Sequence, residues 1–147
     1  MTIYRVFLLI VIYLLLAGCA MNLITMDQIQ NVTRDMTGEE VRLMLEKPPQ
    51  YDYLVNGNDQ VYYAEVYQMQ TGTKTCYSPP TQTNPVGGTY TVPITDDYLF
   101  LYKDNKLYFW GFFNELSKSE DEEIQGISQD IIDGFSLAKK AKNNYNN

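Results

Sequence analysis

Reactive side chains are few in this sequence, and their kinds limit its chemistry. Histidine is absent. The commonest general base and the commonest metal ligand are therefore missing, and a serine–histidine–aspartate triad cannot be built. Acids cluster at Asp96-Asp97 and along Glu120-Asp121-Glu122-Glu123. The first pair opens a strand pattern. The second run precedes a helical pattern, where acids suit the positive end of the helix dipole. Neither has EF-hand spacing, and no glycine-rich phosphate loop or spaced metal-ligand set occurs. Cys76 has no cationic cluster near it in sequence to stabilise a thiolate, and as an odd thiol it reads as a small buried hydrophobe or as one half of an intermolecular disulfide. These residues describe a non-catalytic chain that needs no metal and no cofactor.

The other thiol, Cys19, closes an apolar run. Arg5 gives a basic start, Val6 to Leu16 is unbroken apolar or aromatic, and Ala17-Gly18 are small. That order reads as a secretory signal peptide. The run falls short of the roughly 20 apolar residues a spanning helix needs. Leu16-Ala17-Gly18-Cys19 resembles the bacterial lipoprotein box. The resemblance implies cleavage before Cys19 and lipid on its thiol and amine. Residues 1–18 are then signal peptide and 19–25 a tether. Several acyl chains at about 0.8 kcal/mol per buried CH₂ make such an anchor stable. By the rule of that class, Ala20 after the cysteine implies the outer membrane of a Gram-negative cell. The domain would face the periplasm or the cell surface. With Cys19 lipidated, Cys76 has no partner for an internal disulfide.

Formal charge is −7, and loss of Arg5 leaves −8, from 10 Lys and Arg against 18 Asp and Glu. An acidic chain is repelled by nucleic acid, so no nucleic-acid partner is expected. Removing 18 residues from 147 leaves 129, enough for one domain with a modest core. Thirteen tyrosines supply either apolar filler with a polar tip or an interaction surface.

The elements follow from periodicity and punctuation. Met26, Ile29 and Val32 suit one face of a short helix over 26–34. Thr37-Gly38-Glu39-Glu40 forms a capping box for a second helix, Gly38 to Glu46, which Pro48-Pro49 ends. Val61 to Gln68 is rich in β-formers and reads as a strand, with Tyr62, Ala64 and Val66 as its core side. Residues 71–96 hold four of the six prolines with many threonines and read as a long loop insertion whose second part, Thr89 to Ile94, can add a short edge strand. Tyr98 to Lys103 and Lys106 to Phe113 flank Asp104-Asn105 as a hairpin. Both of its faces are apolar or aromatic. Ser119-Glu120-Asp121-Glu122 caps an amphipathic helix, Glu120 to about Lys142, whose stripe is Ile124, Ile127, Ile131, Phe135 and Ala138. Residues 143–147 read as a disordered tail.

Three stretches together resemble the SmpA/OmlA (BamE-like) family of outer-membrane lipoproteins. They are Met36-Thr37-Gly38-Glu39-Glu40-Val41, Leu45-Glu46-Lys47-Pro48, and Leu99 to Leu107 with its Asp104-Asn105-Lys106-Leu107 end. The family carries Met-Thr-x-x-x-Val, Leu-Gly-x-Pro and Asp-Gly-x-Leu there. Glu46 and Asn105 thus stand where it has glycine. The resemblance spans about Met26 to Phe113. It implies an α+β fold, two short N-terminal helices packed on a three-stranded antiparallel sheet. The C-terminal helix is an addition that completes one domain over 26–142. It also implies a scaffolding role in outer-membrane β-barrel assembly or envelope maintenance, with an envelope protein as partner.

Aromatic residues dominate interface hot spots. The expected partner-binding surface is therefore the hairpin's aromatic set, Tyr98, Phe100, Tyr102, Tyr108, Trp110 and Phe112. The competing expectation is that this face lies under a helix. A reading from another class makes the chain an inhibitor-like or small-ligand-binding envelope lipoprotein that acts through the 71–96 segment.

Overall fold

The computed structural model describes residues 22–57, 60–82 and 85–145. The expected signal peptide, residues 1–18, and Cys19 lie outside the described residues, as do Asn146 and Asn147. The chain folds as β1 (Leu23–Ile24), α1 (Met26–Ile29), α2 (Gly38–Leu45), β2 (Tyr51–Asn56), β3 (Val61–Ser78), β4 (Gly88–Lys103), β5 (Lys106–Phe112), a 3₁₀ helix (Phe113–Lys118) and α3 (Glu122–Tyr145). The fold is α+β. Its sheet has five strands rather than the expected three. Antiparallel β3, β4 and β5 form its body. Antiparallel β2 and parallel β1 share the outer edge of β3.

Period-two alternation along β3 builds three layers. Tyr62, Ala64 and Val66 face the C-terminal layer, with Leu99, Leu101, Leu116, Ile124, Ile127 and Ile131. Tyr67 and Met69 face the N-terminal helices, with Ile24, Val41, Leu45, Phe100, Tyr102 and Leu107. Both sheet faces are therefore core, not only the Tyr62 side.

The caps match the sequence in α2 and differ in α3. The Thr37 hydroxyl accepts from the Glu40 amide at 3.3 Å, and Glu40 accepts from the Thr37 amide at 2.7 Å. In α3 the capping oxygen belongs to Asp121 rather than Ser119; it accepts from the Glu123 and Ile124 amides at 3.0 and 3.4 Å. That helix runs on through Tyr145, past the expected boundary near Lys142. Expected over 26–34, α1 is a single turn, Met26–Ile29.

Glu46 and Asn105 both take left-handed torsions, φ 54° and 62°. Glu46 caps the end of α2, its amide donating to Arg42 O at 3.0 Å. Asn105 follows Asp104 (φ 51°) in the two-residue hairpin turn. These are conformations that glycine adopts without steric cost, which is the physical reason a glycine suits either position.

The segment read as a loop, 71–96, is mostly strand. β3 and β4 stay paired from Gly72↔Ile94 out to Ser78↔Gly88, so a two-stranded arm projects from the sheet. The threonines that suggested a loop are β-formers. Thr73, Thr75, Thr89, Thr91 and Thr95 each lie across from a residue of the other strand, as in Thr75↔Thr91 and Tyr77↔Thr89. Pro93 is tolerated because β5 ends opposite Tyr98, leaving β4 an edge strand there.

Candidate functional site

The sheet divides the expected aromatic surface instead of displaying it. Tyr98, Phe100 and Tyr102 are buried, at 5%, 0% and 2% exposure. They lie beneath the N-terminal layer with Val41 and Leu45, which corrects their reading as a docking face. Trp110 and Phe112 share that face and are half-buried. Tyr108 goes to the opposite side. Leu101 pairs with Phe109 and Tyr102 with Leu107, so Tyr108 is the extra residue of a β-bulge. A bulge re-aims a side chain without ending the ladder. Tyr108 thereby reaches the α3 layer, its hydroxyl lying 2.8 Å from both the Asp121 and the Glu123 carboxylates, which share its one proton.

Two polar clusters pin the layers together. On the N-terminal side, Glu65 is fully buried. Arg42 Nε donates to its carboxylate at 2.7 Å, and the guanidinium Nη2 also pairs with it. The hydroxyls of Tyr67 and Tyr102 donate to its other oxygen at 3.1 and 3.3 Å. Burial and the adjacent carboxylate push both tyrosines well above the usual phenol range. On the other side Glu123 accepts from Lys103 at 2.7 Å, from Tyr62 and from Tyr108. These hydrogen bonds hold its carboxyl down at about 2. Every carboxylate oxygen here is met by a donor, which describes a structural clamp more than a vacant site.

The open site is a groove of about 670 Å³ where β5 stops and β4 runs on. Thr71, Asp96, Asp97, Phe112, Phe113, Asn114, Ile132 and Phe135 line it. Three elements meet here for local reasons. A second bulge makes Thr71 the extra residue between Gln70↔Thr95 and Gly72↔Ile94. Its hydroxyl is 3.4 Å from both Ile94 O and Asp96 Oδ2. The turn into the 3₁₀ helix brings in Phe113, which stacks on Phe135 of α3 at 4.7 Å between centroids. Asp97 is half-buried, and that burial pushes its carboxyl up against the opposing pull of Lys139. Lys139 Nζ lies 4.0 Å from Asp97 Oδ2 and 5.4 Å from the Phe135 ring centroid.

A smaller recess of about 340 Å³ is lined by Arg34, Tyr108, Phe109 and Trp110. Of the six aromatic residues expected to bind a partner, Phe112 thus borders the groove, and Tyr108 and Trp110 border the recess. The Asp96-Asp97 pair, read as strand-opening acids, sits in the groove as well. Phe113, Asn114, Ile132, Phe135 and Thr71 were not legible as site residues. Phe135 reads as helix stripe, and a bulge at Thr71 has no sequence signature in a threonine-rich stretch.

Chemically, the groove offers two carboxylates beside an aromatic and aliphatic wall. That combination takes up a cation with apolar neighbours. Among the described residues, no group of three or more acids or cysteines is placed to hold a metal. No described helix is long and apolar enough to cross a membrane. Comparison with protein-family models, with curated proteins and with solved structures finds no match.

Proposed function

We propose that this chain is a non-catalytic lipoprotein of the bacterial outer membrane, anchored through Cys19. Its groove would bind an envelope protein partner in a scaffolding role, either in β-barrel assembly or in envelope maintenance. The observation that carries the binding reading is the position of Lys139. Its ammonium already lies between the Asp97 carboxylate and the Phe135 ring. The chain's own lysine thus occupies the place that a partner's Lys or Arg would take, with the partner's apolar residues against Phe112, Phe113 and Ile132. The anchor and the cellular setting rest on the lipoprotein-box pattern and on the SmpA/OmlA-like motifs.

The test is a mild-detergent pulldown of the native lipidated protein, with mass spectrometry of what accompanies it. Asp97→Asn should lose the partner without lowering the melting temperature. Lys139→Ala should increase recovery, because an internal competitor is removed. Recovery of barrel-assembly subunits would support that specific role. Equal recovery from wild type and Asp97→Asn would exclude the groove as the binding site.

A further inference from the structure

The arm formed by the outer halves of β3 and β4 is chemically unlike the rest of the chain. From Thr71 to Thr95 the sole charged residue is Lys74, and all 18 acids lie elsewhere. Its large apolar side chains are exposed: Tyr77 at 65%, Val86 at 85%, Tyr90 at 53% and Ile94 at 43%. In β4 the row Tyr90, Val92, Ile94 shares parity with the buried row Tyr98, Phe100, Tyr102 and continues it past the part that the helices cover. A two-stranded ribbon in water is marginal without something to pack against.

The place where the chain enters the sheet says what that is. Leu23 pairs opposite Gln68 and Ile24 opposite Met69. Three residues separate Cys19 from Leu23, a reach of at most about 14 Å when fully extended. From there β3 runs about 33 Å to the arm's tip at Ser78 at the rise of a β-strand, the last ~20 Å, or about six residues, being the arm itself. Ahead of Leu23 the same edge of β3 is already taken by β2, with Tyr51 opposite Val66 and the Gln50 amide donating to Val66 O at 2.7 Å. A lipid anchor at Cys19 can therefore lie no farther than about 14 Å from Leu23 near the base of the arm, while the arm's tip at Ser78 is more than twice that distance from the same point.

We propose that the arm lies along the lipid surface on the face that carries Tyr90, Val92 and Ile94 and seats them in the headgroup region with Val86 at the tip. Tyr77, paired with Thr89, points to the opposite face. The inference rests on the Cys19 anchor of the preceding subsection. Charge supports lipid as the occupant. An acidic domain is repelled by a membrane carrying anionic lipid, and the carboxylate-free arm is the part that approaches at least cost. Tyrosine suits the interface, with its ring in the apolar zone and its hydroxyl in water. Tethering supplies a high effective concentration, so weak contacts suffice.

Cys76 provides the probe, since it faces Tyr90 across the arm and is the free thiol left once Cys19 is lipidated. The full lipidated protein is reconstituted in phosphatidylethanolamine–phosphatidylcholine vesicles with a nitrobenzoxadiazole label on Cys76. Intact mass first establishes the lipid on Cys19. The expected result is blue-shifted emission, quenched by headgroup nitroxide lipid and shielded from iodide. A label at Gln129→Cys in a Cys76→Ser background should remain iodide-accessible. Tyr90→Ser/Val92→Ser/Ile94→Ser should restore iodide access at Cys76 with an unchanged circular dichroism spectrum, whereas Tyr77→Ser on the opposite face should not. An unlipidated Cys19 would remove the anchor and this inference together. A lipidated protein whose Cys76 label is quenched only by iodide would overturn the arm contact and leave the anchor standing. A Cys76–Cys76 disulfide forming in those vesicles in place of lipid quenching would assign the arm to a second copy and overturn it too.

Discussion

Two glycines in α3 look alike in sequence and should respond oppositely to alanine. Each weakens a helix interior by about 1 kcal/mol relative to alanine. At Gly126 an added Cβ meets nothing within 4 Å. Gly126→Ala should therefore gain the full propensity term, about 1 kcal/mol, or a rise of about 3–5 °C in Tm for a domain of this size. At Gly134 the same atom would lie 2.7 Å from two ring carbons of Tyr53. The ring cannot simply swing aside, because the Tyr53 hydroxyl donates to Ile131 O at 2.9 Å and fixes its far end. Overpacking of this kind costs about 1–3 kcal/mol. Giving up the hydrogen bond to relieve it costs about 1 kcal/mol. Against a propensity gain of about 1 kcal/mol, Gly134→Ala should give no gain and destabilise by up to about 2 kcal/mol.

Urea and thermal unfolding followed at 222 nm would measure both variants. A double-mutant cycle with Tyr53→Leu isolates the cause. With the ring gone, Gly134→Ala should turn neutral or stabilising. If Gly134→Ala stabilises the wild-type background as much as Gly126→Ala does, the docking of α3 on β2 through Tyr53 is wrong. If its cost is unchanged in the Tyr53→Leu background, the ring is not its source.

Other perturbations test the clamps and the turns. Glu46→Gly removes a left-handed non-glycine residue and should raise stability by up to about 1 kcal/mol in urea unfolding. Arg42→Ala leaves the fully buried Glu65 with tyrosine hydroxyls as its remaining side-chain donors. It should cost about 3 kcal/mol, and adding Glu65→Leu should recover most of it. The Glu123 carboxyl is depressed to about 2 when folded, so its contribution is complete above the unfolded carboxyl range near 4.5 and disappears as pH falls toward 2. The stability difference between wild type and Glu123→Gln should therefore shrink between pH 5 and pH 2. Burial raises Tyr53, Tyr62, Tyr67, Tyr98, Tyr102 and Tyr108. Raised folded values contribute stability that is present below about pH 10 and lost above it. Absorbance at 295 nm should show these phenols silent at pH 10 and ionising together as the domain unfolds in alkali.

Local signals in the sequence carried the α+β outline because each is settled within a few residues. The Thr37–Glu40 box, the Asp104-Asn105 turn and the isoleucine stripe of α3 need no distant partner to act. What escaped is set by distant pairing. Tyr51 to Asn56 becomes a strand because β3 offers it an edge, and residues 72–78 stay extended because 88–94 return alongside them. The aromatic hairpin shows the limit most clearly. Alternation placed Tyr98, Phe100 and Tyr102 on one face, and they share one, but alternation cannot say what covers a face. The Tyr108 bulge then breaks the parity count in β5 and sends one ring of the set to the other layer. The groove inherits the same dependence. Asp97 gains meaning only when Phe113 and Phe135 close around it and Lys139 arrives from a helix more than 40 positions along the chain. A carboxylate pair that reads as a strand start becomes a cation seat through packing, so the site is a property of the assembled layers rather than of any one motif.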